Sequence, residues 1–231
     1  MTPGQSYESI CDQIDQLEIE PLRLIIHEVK KRIRKHRIDT RKQARAEWEE
    51  LASSEERELT IRLSGLVRVH FKDFNNLHRI SNDPVYHLDD VDDLTVKFKP
   101  LLEEEAALLN RDTAQILIDP RTKKNKETIL LHELIHFYMG DPDEHCGFAA
   151  YPSVAQGFSV GLYHRISPII ERNLSDVVEQ VIARSGLHPI SPSTHSVLFL
   201  LKSLDLDHQT GKPPGTVFGY YPEIFTGLSF K

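Results

Sequence analysis

His132, Glu133 and His136 combine residue types and a spacing that can do chemistry. On an α-helix, residues four apart share a face, so the two histidines can aim their imidazole nitrogens at one metal ion. Glu133 follows the first histidine and can reach a metal-bound water as a general base. His-Glu-x-x-His therefore reads as the signature of a zinc hydrolase. The flanks agree: Ile129, Leu130, Leu131, Leu134, Ile135, Phe137 and Tyr138 are uncharged and mostly apolar, as a buried metal-bearing helix requires. A solvated helix would carry Lys or Glu at some of those positions.

Catalytic zinc sites take three protein ligands and leave one position for water. His145 is the first choice for the third ligand. It lies nine residues beyond His136, past a break at Gly140, so the chain can reverse and bring it back under the helix. Carboxylates compete. Glu171 lies near the edge of the apolar stripe of the next helix, whereas Glu179 falls nearly opposite that stripe and should face water. Asp141 and Asp143 share the loop with His145 and could bind directly, or hold a ligand's outer N–H. His188, His195 and His208 stand in Pro/Ser-rich or helix-surface contexts and read as ordinary. Cys146 reads as a small semi-buried residue.

Positioning these groups requires elements on both sides of the motif. Ahead of it, Gln115 to Asp119 reads as a short strand closed by Pro120, and Arg121 to Asn125 as a polar turn ending in a helix cap. Gly140-Asp141-Pro142 ends the motif helix. Ile169, Ile170, Leu174, Val177, Val178, Val181 and Ile182 describe a second amphipathic helix, and Val197 to Leu204 a third. Further upstream, Leu59 to Leu63 and Leu66 to Phe71 alternate apolar and polar residues around Ser64-Gly65, which predicts a hairpin or bent strand. Leu94 to Phe98 alternates too, and the acidic run Asp89 to Asp93 reads as a solvated loop. The tail from Lys212 to Tyr221 reads as a docked loop.

The N-terminal part looks helical and highly charged. Ile14, Leu17, Leu22, Ile25, Ile26, Val29 and Ile33 recur at spacings of three and four, with an interruption near Pro21. Lys30 to Arg45 is strongly basic. It reads either as a patch for nucleic acid, anionic membrane or an acidic partner, or as the solvated face of a long helix beside the acidic residues from Glu47 to Glu58. No aromatic residues interleave the basic ones, which favours the solvated face.

At 231 residues, 39% hydrophobic and 27% charged, the composition is that of a globular chain. The formal charge of −7 argues against nucleic acid coating the whole surface. Met1 to Glu20 has no apolar leader core, and no apolar run approaches the roughly 20 residues of a membrane span. A cytoplasmic protein without a membrane partner is the expectation. Cys11 and Cys146 give no disulfide framework.

From Ile116 to about Phe158 the chain resembles the SprT-like and WLM branches of the zincin metallopeptidases. In these, a strand and short turn precede a His-Glu-x-x-His helix, and a third histidine follows after a loop. His132, Glu133, His136 and His145 match that pattern, and Gly147 and Phe148 loosely echo the residues after the family's third histidine. The resemblance implies an α+β fold: a zincin-like core at residues 59–231, with a small mixed or antiparallel sheet and the motif helix, preceded by a charged helical segment at 1–58. It also implies a zinc peptidase, with Zn²⁺ on His132, His136 and His145, Glu133 as base, and a protein or peptide substrate. In some relatives the substrate is DNA-bound protein. Here Lys30 to Arg45 would be the segment to meet nucleic acid, and a binding module docking nucleic acid or a protein through it is the alternative. Two cysteines cannot form the Cys₄ ribbon that some relatives carry. Tyr151 or Tyr163 could donate to the oxyanion.

Overall fold

A computed structural model describes residues 19–74, 93–102, 105–140, 147–185 and 195–231. Among them the chain forms α1 (Ile19–Leu51), α2 (Ser54–His70), β1 (Thr95–Phe98), β2 (Ala107–Asn110), β3 (Gln115–Ile118) and α3 (Lys126–Met139). A 3₁₀ turn (Gly147–Ala150), α4 (Pro152–Ile166), α5 (Leu174–Ser185), α6 (Val197–Gln209) and α7 (Pro222–Phe225) follow. The fold is mixed α+β with a small sheet.

Strand order is β1-β3-β2, with β1 parallel and β2 antiparallel to β3. Gln115-Ile116-Leu117-Ile118 is nearly all apolar because β3 is central and every residue of it is buried. β2 forms one edge of the sheet, with Leu108 exposed. The expected strands at 94–98 and 115–119 are present, and the sheet is mixed.

The expected hairpin over 59–71 is not a sheet element: α2 occupies it. Leu59, Leu63, Leu66 and Val67 point inward at helical spacing, while Ile61 and Val69 lie in solvent. The helix starts at a capping box in which the Ser53 hydroxyl accepts from the Glu56 N–H and the Glu56 carboxylate accepts from the Ser53 N–H. The other Glu56 oxygen accepts from the Phe98 N–H at 2.6 Å, so the cap also ties α2 to β1. The boundary drawn at 58/59 falls inside this helix.

α1 is continuous from Ile19, with Pro21 inside its first turn, where a missing N–H costs little. Trp48, buried near its C-terminus, donates from Nε1 to the Val96 carbonyl at 2.7 Å and fixes α1 on β1. α5 starts at Leu174 rather than Ile169; Ile169 and Ile170 precede it, and Ile170 bridges to Phe230. α6 is buried from Leu198 to Asp207 and packs against α3 and α4. Its polar residues are paired: Lys202, wholly buried, donates to the His70 carbonyl at 2.7 Å and to Asp73 and Asp205. The tail passes through an irregular stretch into α7. The acidic residues Asp89 to Asp92 lie outside the described residues.

Candidate metal centre

Local sequence sets the motif helix. Asn125 caps α3 by accepting from the Thr128 N–H at 3.0 Å, and Gly140, at φ 75°, closes it with an N–H to the His136 carbonyl. Gly147 packs so closely that a Cβ there would lie 2.6 Å from the Gly140 backbone. The buried flanks hold α3 between the sheet and α6, and the 132/136 face opens into a cavity of about 610 Å³.

His132 and His136 meet as the spacing predicts, with their Nε2 atoms 3.2 Å apart. A tetrahedral ion with metal–nitrogen bonds of about 2.0–2.1 Å holds two such atoms roughly 3.3 Å apart, so the pair already stands at the spacing of two ligands. The third imidazole is that of His195, immediately before α6. One ligand atom from each of His132, His136 and His195 falls in a group spanning no more than 4.8 Å, so the three lie close enough to bind a metal ion. His195 Nε2 is buried and has no hydrogen-bond partner among the described residues. An orphaned buried ring nitrogen beside two others is what a ligand set looks like before its ion is counted. Phe199, one turn into α6, contacts all three rings with centroids 4.7–4.9 Å away and forms an apolar floor.

The rings are kept neutral. Burial pushes His195 down to about 4, helped by His132. Burial also lowers His136, reinforced by His132, His195 and Arg111, and it lowers His132. Neutral imidazoles present lone pairs to a cation. The tautomer of His132 is set from behind: its Nδ1 lies 2.8 Å from the Val217 carbonyl, which can only accept, so Nδ1 carries the proton and Nε2 is free. Val217 is held in turn by Asp207. That buried carboxylate accepts from the Val217 N–H at 2.9 Å and the Gly215 N–H at 2.8 Å.

Glu133 is buried and lines the same cavity. Burial pushes its carboxyl up to about 7, against a hydrogen bond from the Leu109 backbone and with help from the charge of Glu105. A carboxylate poised near neutral pH is suited to take and return a proton. Tyr220 also lines the cavity, its ring centroid 4.3 Å from that of His195. Burial, Glu133 and Glu105 raise its pKa, so the phenol stays a donor.

His145, the expected third ligand, lies outside the described residues, as do Asp141, Asp143, Cys146 and His188. Glu171 is exposed and its carboxylate accepts from the Ser229 hydroxyl, away from the cavity lining. Glu179 faces water as expected, and His208 is exposed on α6. Tyr163 bonds to the Ser175 hydroxyl, and neither it nor Tyr151 lines the cavity. His195 and Tyr220 were missed because each comes from a distant segment. The one local signal was His195 directly ahead of Ser196, the cap of α6, which places it at a helix start facing the core.

Several of the basic residues between Lys30 and Arg45 have structural work. Arg37 pairs with Asp112 at 3.4 Å, Arg41 donates to the Arg111 carbonyl at 2.7 Å, and Arg45 pairs with Glu49. Arg111 donates to the His136 carbonyl, so α1 braces the β2–β3 turn and the turn braces α3.

Comparison with known proteins yields no match to a family model, a curated protein or a solved structure.

Proposed function

We propose that the protein is a zinc-dependent peptidase. The observation that carries this reading is the convergence of His132, His136, His195 and a buried Glu133 on one cavity. Three imidazoles suit several first-row ions. The adjacent carboxylate favours a hydrolytic site over a purely structural one, which has no use for a base, and zinc on three imidazoles suits that role. Bound there, Zn²⁺ would act as a Lewis acid, lowering the pKa of a ligated water toward about 7 and polarising a substrate carbonyl.

The chain's own residues account for the rest. Glu133 takes a proton from the attacking water and delivers it to the departing amine. Tyr220, which lines the cavity, would donate to the carbonyl oxygen as negative charge develops. Phe199 packs against all three rings and covers that side of them. β2 lines the cavity as an edge strand, and its outer backbone suits an extended peptide as an added strand.

Two measurements test the reading. Elemental analysis should find about one zinc per chain in wild type, lost in His195→Ala and kept in His145→Ala. Loss with His145→Ala and not with His195→Ala would replace His195 as third ligand; no zinc in any sample, even after addition, would defeat the proposal. Wild type should also cleave an unfolded protein substrate, and Glu133→Gln should not while keeping its zinc.

A further inference from the structure

α1 has two halves. From Arg37 to Trp48 it is fixed to the body through Asp112, Arg111 and Val96. Ahead of that, Leu22, Ile25, Ile26, Val29 and Ile33 follow one another at spacings of one to four residues, all within one face of the helix. Ile25, Ile26, Val29 and Ile33 are 54%, 51%, 49% and 55% exposed. Lys31, Arg32 and Lys35, also exposed, lie outside that face. Charge is segregated along the chain. Residues 19–45 hold ten Lys and Arg against three Asp and Glu, a formal +7, and since the whole chain is −7 the remainder carries −14.

We propose that the N-terminal half of α1 docks on an anionic lipid surface. The helix lies in the plane of the headgroups, its aliphatic stripe at the acyl boundary and its cations against phosphates. Both halves of the pattern are needed to choose this occupant. A nucleic acid would neutralise the cations but leave the Ile and Val side chains in water. A second copy of the helix would cover the stripe but bring two strongly basic segments together. An anionic bilayer accepts both. Residues 19–35 form about 25 Å of helix ahead of Arg37. The net-acidic remainder is repelled by the same surface, so only this helix meets it. The expectation of no membrane partner followed from the lack of a spanning segment, which a helix lying in the interface does not need. This proposal is independent of the peptidase reading.

Flotation of the full chain with phosphatidylcholine vesicles, with and without phosphatidylserine, tests it. The protein should float with the anionic vesicles, not with the neutral ones, and be released by high salt. Val29→Asp should weaken binding at least about tenfold. Lys31→Gln, Arg32→Gln and Lys35→Gln combined should weaken it about a hundredfold. All four positions are exposed, so the thermal melting midpoint should not move. No flotation with anionic vesicles at low salt would overturn the proposal, as would flotation indifferent to Val29→Asp. Tighter binding to a DNA duplex than to the vesicles, unaffected by Val29→Asp, would reassign the helix to nucleic acid.

Discussion

Burial tunes every candidate reacting group in this protein: it keeps three imidazoles neutral and holds the Glu133 carboxyl near neutrality. Glu133→Gln removes the proton acceptor while leaving the nitrogens in place, so hydrolysis should fall by at least about a hundredfold with metal content unchanged. Tyr220→Phe removes a donor at the cavity wall and no candidate metal ligand. Its kcat should fall roughly tenfold or more at unchanged zinc content; an unchanged kcat would show that the phenol does not touch the reacting oxygen. Legibility at this scale followed sequence distance. His132, Glu133 and His136 were readable because helical geometry turns a spacing of four into proximity. His195 stands 59 residues beyond His136 with no periodic relation to the motif, and only the packing of α6 on α3 brings it there.

At the scale of elements, the C-terminal loop matters as much as the motif helix. Asp207 on α6 holds Gly215 and Val217, and Val217 orients His132. Asp207→Asn turns one acceptor into a donor facing an N–H, so metal affinity should drop about 10–100-fold. Competition with a chromophoric chelator would measure this, and nitrogen NMR shifts of His132 would show whether its tautomer is lost. The sheet is anchored in a comparable way by Trp48. Trp48→Phe keeps most of the packing and orphans the Val96 carbonyl, so it should cost about 1–2 kcal/mol in urea unfolding. The sequence misled at α2, where Leu59, Ile61 and Leu63, then Val67, Val69 and Phe71, alternate as a strand would. The buried set Leu59, Leu63, Leu66 and Val67 satisfies the helical period equally well, and such short apolar runs are ambiguous. The deciding signal was Ser53-x-x-Glu56, whose capping box commits the chain to a helix. α3 offered no such ambiguity, since its cap, its apolar flanks and its terminal glycine all agreed.

For the molecule as a whole, the buried carboxylate of Asp207 links stability to pH. Burial raises it from 3.8 to about 7, against the pull of its backbone donors. Between those values the unfolded chain has released its proton while the folded chain keeps it, so this group's contribution to stability falls as pH rises from about 4 to about 7, then levels. Urea unfolding of chelated wild type and Asp207→Asn should therefore show wild type losing ground to the variant over that range, by at most about 4 kcal/mol. A difference independent of pH would mean that Asp207 titrates alike in both states. The order of the centre's parts along the chain has a consequence for biosynthesis. The first two imidazoles lie on α3, the third opens α6, and the carbonyl that fixes His132 arrives only at Val217. A ribosome-bound chain that has exposed α3 but not α6 presents only two of the three clustered imidazoles. The three-histidine cluster and its supporting carbonyl are therefore complete only once Val217 has emerged, so a product cut short before α6 lacks them.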